Sequence, residues 1–535
     1  MDSISRLLIW KRSKSMEYAE PKGGNRVLSV PNVLTILEVS RKQDYIFGAK
    51  ELKENVRRSA EIAYVTSSPF FEKTAPMLYK KEENLVYAGG GHTVLQFDSR
   101  EQAVAFARTV TEAAVRQFGR MEIFVRTIPY DPNLTPGQNL TALSAALEEK
   151  KARRQASFRW MDAGVACPKD DANADKQKKR EKEAIQSQLE APAGWQYLDQ
   201  FEKIAGKDSF IAVVHIDGNA MGKRVMNLYQ ENAGNWDDCR RSLQVFSERI
   251  QKDFEQSMTD TAYALTAAQP DGLEAPELPL RPVILAGDDV CFVCQGSLGL
   301  ECARLFLEHL TSKKNSQDDK SYAACAGVAL VHTKYPFHAA YDLAEQLCSS
   351  AKKFGASIDP EGRVSAMDWH IEYGQLKDTL REIRADYATE DGGRMELRPV
   401  LVSAGGAEEK AVERETGKVR SWRFFRALSG ELRQSLKNIP RSKLKELRTA
   451  LKQGELETEF AIRNLQISDM LYQVFNAKYE TLSQQMNSYR QGNALETIRR
   501  EKTAFQEVAG VRRCLFFDAI EMMDHCTFLE KEESE

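Results

Sequence analysis

Residues 281–295 read RPVILAGDDVCFVCQ, two apolar runs reversed across Gly287-Asp288-Asp289. A glycine-led turn between two β-prone runs is the signature of a tight hairpin. It is followed by LGLECARLFLEHLTSKK (298–314), whose apolar residues recur at helical spacing. The strand YAACAGVALVHT (322–333) and the helix FHAAYDLAEQLCSSAKKF (337–354) come next. Upstream, SFIAVVHI (209–216) reads as a buried strand, with a helical region beginning near Asn219. The order β-α-β-β-α-β predicts a ferredoxin-like unit.

An earlier stretch has the same plan. VLTILEV (33–39) is a strand and IFGAKELKENVRRSAEIAYV (46–65) a helix. NLVYAGGGHTVLQF (84–97) is a hairpin, REQAVAFARTVTEAAVRQF (100–118) an amphipathic helix, and MEIFVRTIPY (121–130) a strand. Direct alignment places Ala88-Gly89-Gly90-Gly91 opposite Ala286-Gly287-Asp288-Asp289, and roughly Ser40 opposite Asp217. Duplication at so long a period means two similar α+β domains rather than a solenoid. The expected division is a first domain over 1–165, a charged linker over 166–205, a second domain over 206–375 and an α-helical C-terminal domain over 376–535. LRPVLVS (397–403) is the one strand signal in that last part, and Trp369 and His370 of SAMDWHI are expected to close the second core.

The 535 residues carry 75 Lys+Arg against 78 Asp+Glu, a net charge of -3. That balance excludes a globally basic nucleic-acid binder while leaving room for a local basic face. No apolar run approaches the roughly 18–20 residues that span a bilayer, so no membrane partner is expected. Nine cysteines, scattered and mostly in apolar segments, suit free thiols in a reducing cytoplasm. Cys291 and Cys294 form a C-x-x-C on a strand without a second pair nearby, so no zinc is expected.

The chemistry lies in the carboxylates. Asp217 ends one strand, and Asp288 and Asp289 sit at the tip of the hairpin expected beside it. Three carboxylates in one small volume repel unless cations neutralise them. Hard oxygen ligands select Mg²⁺ or Mn²⁺, which share phosphate oxygens with a substrate. In Gly218-Asn219-Ala220-Met221 the chain turns from strand to helix, and free N–H groups there would hold a triphosphate. Lys352 and Lys353 would add positive charge. Two metals bridging a 3′-hydroxyl and an α-phosphate imply nucleotidyl transfer. In the first domain Gly90 and Gly91 replace the carboxylates, and Gly89, Gly90 and Gly91 would leave space for a second nucleotide. Glu38 and Asp44 read as structural or solvated.

On QDYIFGAKELKENVRRSA (43–60), VYAGGGHTVLQF (86–97), HIDGNAMGK (215–223), LAGDDV (285–290) and AGVALVHTKYPFHAAYDLAEQLCSSAKKFG (326–355), the sequence resembles the large polymerase-cyclase subunit of type III CRISPR effector complexes. The resemblance implies two palm domains, related to the polymerase palm and GGDEF cyclases, followed by a helical domain. It implies conversion of ATP to cyclic oligoadenylates, with other protein subunits, crRNA and target RNA as partners and the cytoplasm as location. By position, Asp217 and Asp288 would be the principal metal ligands and Asp289 the third carboxylate. Gly287 would allow close approach of the nucleotide, and Lys352 would touch its triphosphate. Ala286 stands where the family's hairpin usually begins with glycine. The family's HD-type nuclease domain and zinc ribbon have no counterpart expected here. Two rival readings are a scaffold subunit that has lost catalysis and a stand-alone cyclic-dinucleotide synthase.

Residues 410–453 hold thirteen Lys/Arg against four Asp/Glu, with Trp422, Phe424 and Phe425 among them. Such a helical stretch suits a phosphate backbone, a solvated face or a protein-docking surface equally.

Overall fold

The computed structural model describes residues 31–119, 121–153, 189–206, 209–268, 276–374, 379–404, 419–435, 439–472 and 503–529. The polar stretch 166–188 and the tail EKEESE lie outside them. Among the described residues no helix is long and apolar enough to cross a membrane.

Two sheets carry the fold. Strands β1 (Val33–Ser40), β2 (Leu85–Gly89), β3 (His92–Phe97) and β4 (Glu122–Pro129) pair in the order β2-β3-β1-β4. Their neighbours are antiparallel throughout, the ferredoxin-like arrangement. In the second sheet β5 (Phe210–Gly218), β6 (Leu280–Ala286), β7 (Asp289–Gln295) and β8 (Ala324–His332) repeat it as β6-β7-β5-β8. Two further strands, β9 (Val364–Glu372) and β10 (Val400–Ala404), widen this sheet beyond β8. β9 lies parallel to β8 and is buried along its whole length, Trp369 completely. Its polar residues have partners: Arg384 bonds Asp368 and Tyr387 bonds His370 at 3.1 Å.

The segment expected as one helix over 46–65 is two, α1 (Lys42–Phe47) and α2 (Leu52–Val65), separated at Gly48. A Cβ on Gly48 would lie 2.8 Å from Asp44 O, so a larger residue would not close this turn. α3 (Arg100–Phe118) and α4 (Pro136–Ala152) complete the first unit, and a reciprocal capping box of Thr135 with Gln138 starts α4. The second unit contains α5 (Met221–Glu231), the 33-residue α6 (Trp236–Ala268), α7 (Gly299–Thr311) and α8 (Phe337–Ile358). Gly327 lets α8 settle on β8, since a Cβ there would be 2.0 Å from Ala344 O.

The units interlock. α6 of the second lies along β2 of the first, and α2 of the first packs on β6 of the second. Trp236 roots α6 in the first unit by donating from Nε1 to Gln96 Oε1 at 2.6 Å.

The C-terminal part has its own core, including Leu428, Leu432, Leu447 and Phe505. It is helical as expected, with an added hairpin pairing Phe505–Val508 and Val511–Cys514. Its basic stretch is spent partly inside the protein. Arg420 donates to Leu397 O (2.7 Å), Arg426 to Leu529 O (2.7 Å) and Arg433 to Met523 O (3.1 Å). Trp422, Phe424 and Phe425 are buried rather than presented for stacking.

Candidate active site at the paired hairpins

Strand pairing corrects the alignment of the two units by one residue. Ala286 closes its hairpin against Asp289, and Gly89 closes the other against His92. Gly287 and Asp288 are therefore equivalent to Gly90 and Gly91, and Asp289 to His92. On the central strands Asp217 faces Asp289, and Glu38 faces His92. Gly218 N–H donates to Asp288 O and Val39 N–H to Gly91 O, each at 3.1 Å, which fixes the same register. Glu38, not Ser40, occupies the place of Asp217. Three consecutive glycines hide such a shift, because a glycine still falls opposite Gly287 when the frame slides by one.

The turns also differ. Gly90 and Gly91 both have positive φ (58° and 76°), the φ signature of a type I′ turn. In the second hairpin only Gly287 does (69°), as in type II′, which leaves Asp288 in ordinary backbone space. A two-residue loop of this kind needs glycine first and accepts any side chain second.

Asp217 meets the hairpin because Gly218 has no side chain. A Cβ there would lie 2.8 Å from both Asp288 Cβ and Met221 Cε. Lys352 reaches down from α8, its Nζ 2.6 Å from Asp217 Oδ2 and donating to Gly218 O at 2.9 Å. Burial works against its charge, but Asp217 more than compensates and the ammonium is held above its ordinary value. Asp217 Oδ1 and Asp288 Oδ2 are sealed from solvent without a hydrogen-bond partner. Burial, reinforced by the Asp217 charge, raises Asp288 from its usual 3.8 to about 7. Asp289 lies toward His215, whose Nδ1 is 3.6 Å from its Oδ1. Burial holds that imidazole below its usual value, hence neutral at physiological pH.

Among the described residues no three His, Cys, Asp or Glu side chains converge into a ready-made cage. The donor set nonetheless fits Mg²⁺ or Mn²⁺. It is all hard oxygen, and two of its oxygens are buried and unsatisfied. The described cysteines, Cys291 and Cys294 included, are buried free thiols.

The strand-to-helix turn is less open than the sequence suggests. Asn219 N–H donates to Ala323 O at 2.8 Å, and its side chain to Val364 O at 2.8 Å. With the Gly218 amide also engaged, the uncapped start of α5 at Met221 is what this turn offers a phosphate. Ala220, at φ 55°, makes the bend, and Lys223 pairs with Glu361 at 2.6 Å.

The glycine hairpin of the first unit stands against this site. A Cβ on Gly90 would lie 3.9 Å from Ala286 O, and one on Gly287 would lie 3.9 Å from Gly90 N. Behind it, Lys151 pairs with Glu38 at 2.8 Å. Lys151 and Lys352 stand fifteen residues after the first residues of α4 and α8, Pro136 and Phe337. The first unit thus keeps a carboxylate–lysine pair at the same place. Equal spacing from the helix start was the signal in the sequence that could have found it.

Twin ferredoxin-like sheets meeting at their hairpin tips, with carboxylates at one tip and glycines at the other, define a two-palm protein. Residues 210–357 match the family model described as Cas10/Cmr2, second palm domain. Among solved structures, an apo Csm1-Csm4 cassette is 13% identical over 92% of this chain and 70% of that one, with a TM-score of 0.47. A Csm1-Csm4 cassette in complex with cA4 is 13% identical over 82% of this chain and 70% of that one, at 0.42. No curated protein sequence matches this chain.

Proposed function

We propose that this chain is a nucleotidyl cyclase that links ATP through 3′-hydroxyl attack on an α-phosphate, breaking the α–β phosphoanhydride bond and releasing pyrophosphate, and closes the product into a cyclic oligoadenylate by a final step of the same kind. It would act in the cytoplasm as the signalling subunit of a type III CRISPR complex, with other protein subunits, crRNA and target RNA as partners. One observation carries the reading: Asp217 and Asp288 hold buried, unsatisfied oxygens at a tip that touches the glycine tip of the other palm.

Asp217 and Asp288, with Asp289 alongside, would hold Mg²⁺ or Mn²⁺, which supplies positive charge at the attacked phosphate and acidifies the attacking hydroxyl. Lys352 carries a charge on a long, flexible stem and can exchange Asp217 for a phosphate oxygen. Gly287 keeps the hairpin thin where the nucleotide passes, and the start of α5 receives the triphosphate. Gly89, Gly90 and Gly91 leave room opposite for a second nucleotide.

The test is the assembled complex with labelled ATP, Mn²⁺ and cognate target RNA, its products read by mass spectrometry. Cyclic adenylates from wild type and none from an Asp288→Ala, Asp289→Ala variant are expected. Identical products from both would sink the reading. Absence of product from both would favour a scaffold role.

A further inference from the structure

One face of α6 is polar but does not serve solvent. Arg240, Gln244, Ser247 and Gln251 follow at helical spacing, and each bonds the backbone of an edge strand. Arg240 Nε and Gln244 Nε2 donate to Leu85 O on β2 at 2.8 and 2.7 Å. Ser247 Oγ donates to Ala88 O at 2.7 Å. One turn later the helix has crossed to the other palm. Gln251 Nε2 donates to Leu285 O at 3.0 Å, and Gln251 Oε1 accepts from Gly287 N–H at 2.6 Å.

By the corrected register, Ala88 and Leu285 are the same position in the two palms. Each immediately precedes the residue that closes its hairpin. One helix therefore grips the same carbonyl of both hairpins, with side chains four residues and about 6 Å of helix rise apart. Gln251 does more than Ser247. Its amide serves a carbonyl and the N–H two residues on, as a single residue of a neighbouring parallel strand would with its own N–H and C=O. That N–H belongs to the glycine whose positive φ aims Asp288.

We propose that Ser247 and Gln251 are positioning residues: they set the separation of the two hairpin tips, and Gln251 fixes the turn that presents Asp288. Neither needs to touch nucleotide. The inference rests on the nucleotidyl-transfer reading of the same site, so its test includes a measurement that needs no turnover.

Gln251→Met keeps the length and apolar stem of the side chain while removing both bonds to the hairpin. A paired variant, Gln251→Glu with Glu255→Gln, exchanges the ends of the 2.6 Å bond between these residues and keeps an acceptor for Gly287. In the full chain, amide hydrogen exchange over residues 285–289 is expected to quicken about fivefold or more in Gln251→Met, the scale of one lost hydrogen bond. The paired variant should return toward wild type. Unchanged exchange in Gln251→Met overturns the inference regardless of activity.

In the assembled complex, Gln251→Met should lower kcat by roughly tenfold to a hundredfold with KM for ATP within about twofold, and Ser247→Ala should lower kcat less. The paired variant should recover most of the loss. Faster exchange with wild-type kcat overturns the positioning role. Faster exchange in Gln251→Met, when wild type itself makes no product, upholds the grip on the hairpin and rejects the catalytic reading instead.

Discussion

The two palms have the same strand order, the same hairpin and the same lysine over the same strand end, yet only one has carboxylates at its tip. In the second, Lys352 faces Asp217 with Asp288 close by. In the first, Lys151 faces Glu38 with Gly91 and His92 in the hairpin. Glu38 and Lys151 are each mostly buried, and Glu148 also pairs with Lys151 at 2.7 Å. In the first palm the buried carboxylate, Glu38, has an internal cation, and Glu148, the second carboxylate on Lys151, is partly solvated. The second carries more negative charge than Lys352 can balance, and that excess is what a cation would answer. Charge balance, rather than fold, is what distinguishes the two palms.

The sharpest attack on this comparison is Asp288→Asn. Product formation should fall roughly 10²–10³-fold, the scale of one preorganised charge lost at a transition state. Stability should move the other way. A carboxyl raised from 3.8 to about 7 binds more protons folded than unfolded between those values, so its contribution declines as pH rises through that window. With chelator at pH 7.5 the variant should melt above wild type, and at pH 4 the two should converge. Mn²⁺ should then raise the melting point of wild type only. A lower melting point for Asp288→Asn at pH 7.5 would break the charge-balance argument.

Next in size is the pair of lysines. Lys352→Met should cost tenfold or more in turnover, in line with a lost phosphate contact. Lys151→Met should leave turnover within about twofold but cost up to about 3 kcal/mol in urea unfolding, because Glu38 loses its buried partner. Equal turnover losses from both would mean that the first palm takes part in chemistry.

Gly91→Asp tests whether the first palm can be armed. The φ of 76° strains any side chain, and a Cβ would sit 3.0 Å from Ile62 Cγ2 and Lys42 Cδ. A loss of about 1–2 kcal/mol and no new product are expected. The smallest effect is Ala286→Gly, which should change turnover less than about twofold. Ala286 already has ordinary backbone angles, so glycine adds only flexibility there.

Much of this was legible in the sequence. The apolar runs around both hairpins, the helix 100–118 and the long block 326–355 gave strands and helices at the right places. The ferredoxin-like order follows from them. The equivalence of Glu38 and Asp217 was not legible, because LEV and IDG share no motif and only strand pairing sets the frame. β9 was not read as a strand because Asp368, His370 and Glu372 look polar, although all are buried. The polar face of α6 resembles a solvated one until the edge strands it bonds are seen. The destination of the arginines near residue 420 was not legible for a related reason, since arginines that hold distant carbonyls look like surface charge in a linear chain.

That polar face has a last consequence. β2 and β6 are the outer strands of their sheets, and an uncovered outer strand invites pairing with other chains. β2 is covered by a helix that belongs to the second palm, and β6 is flanked by that helix and by α2 of the first. Each half of the duplication therefore shields the other's open edge, so a single palm cut from this chain should self-associate. Having doubled, the molecule is held to being double by solubility.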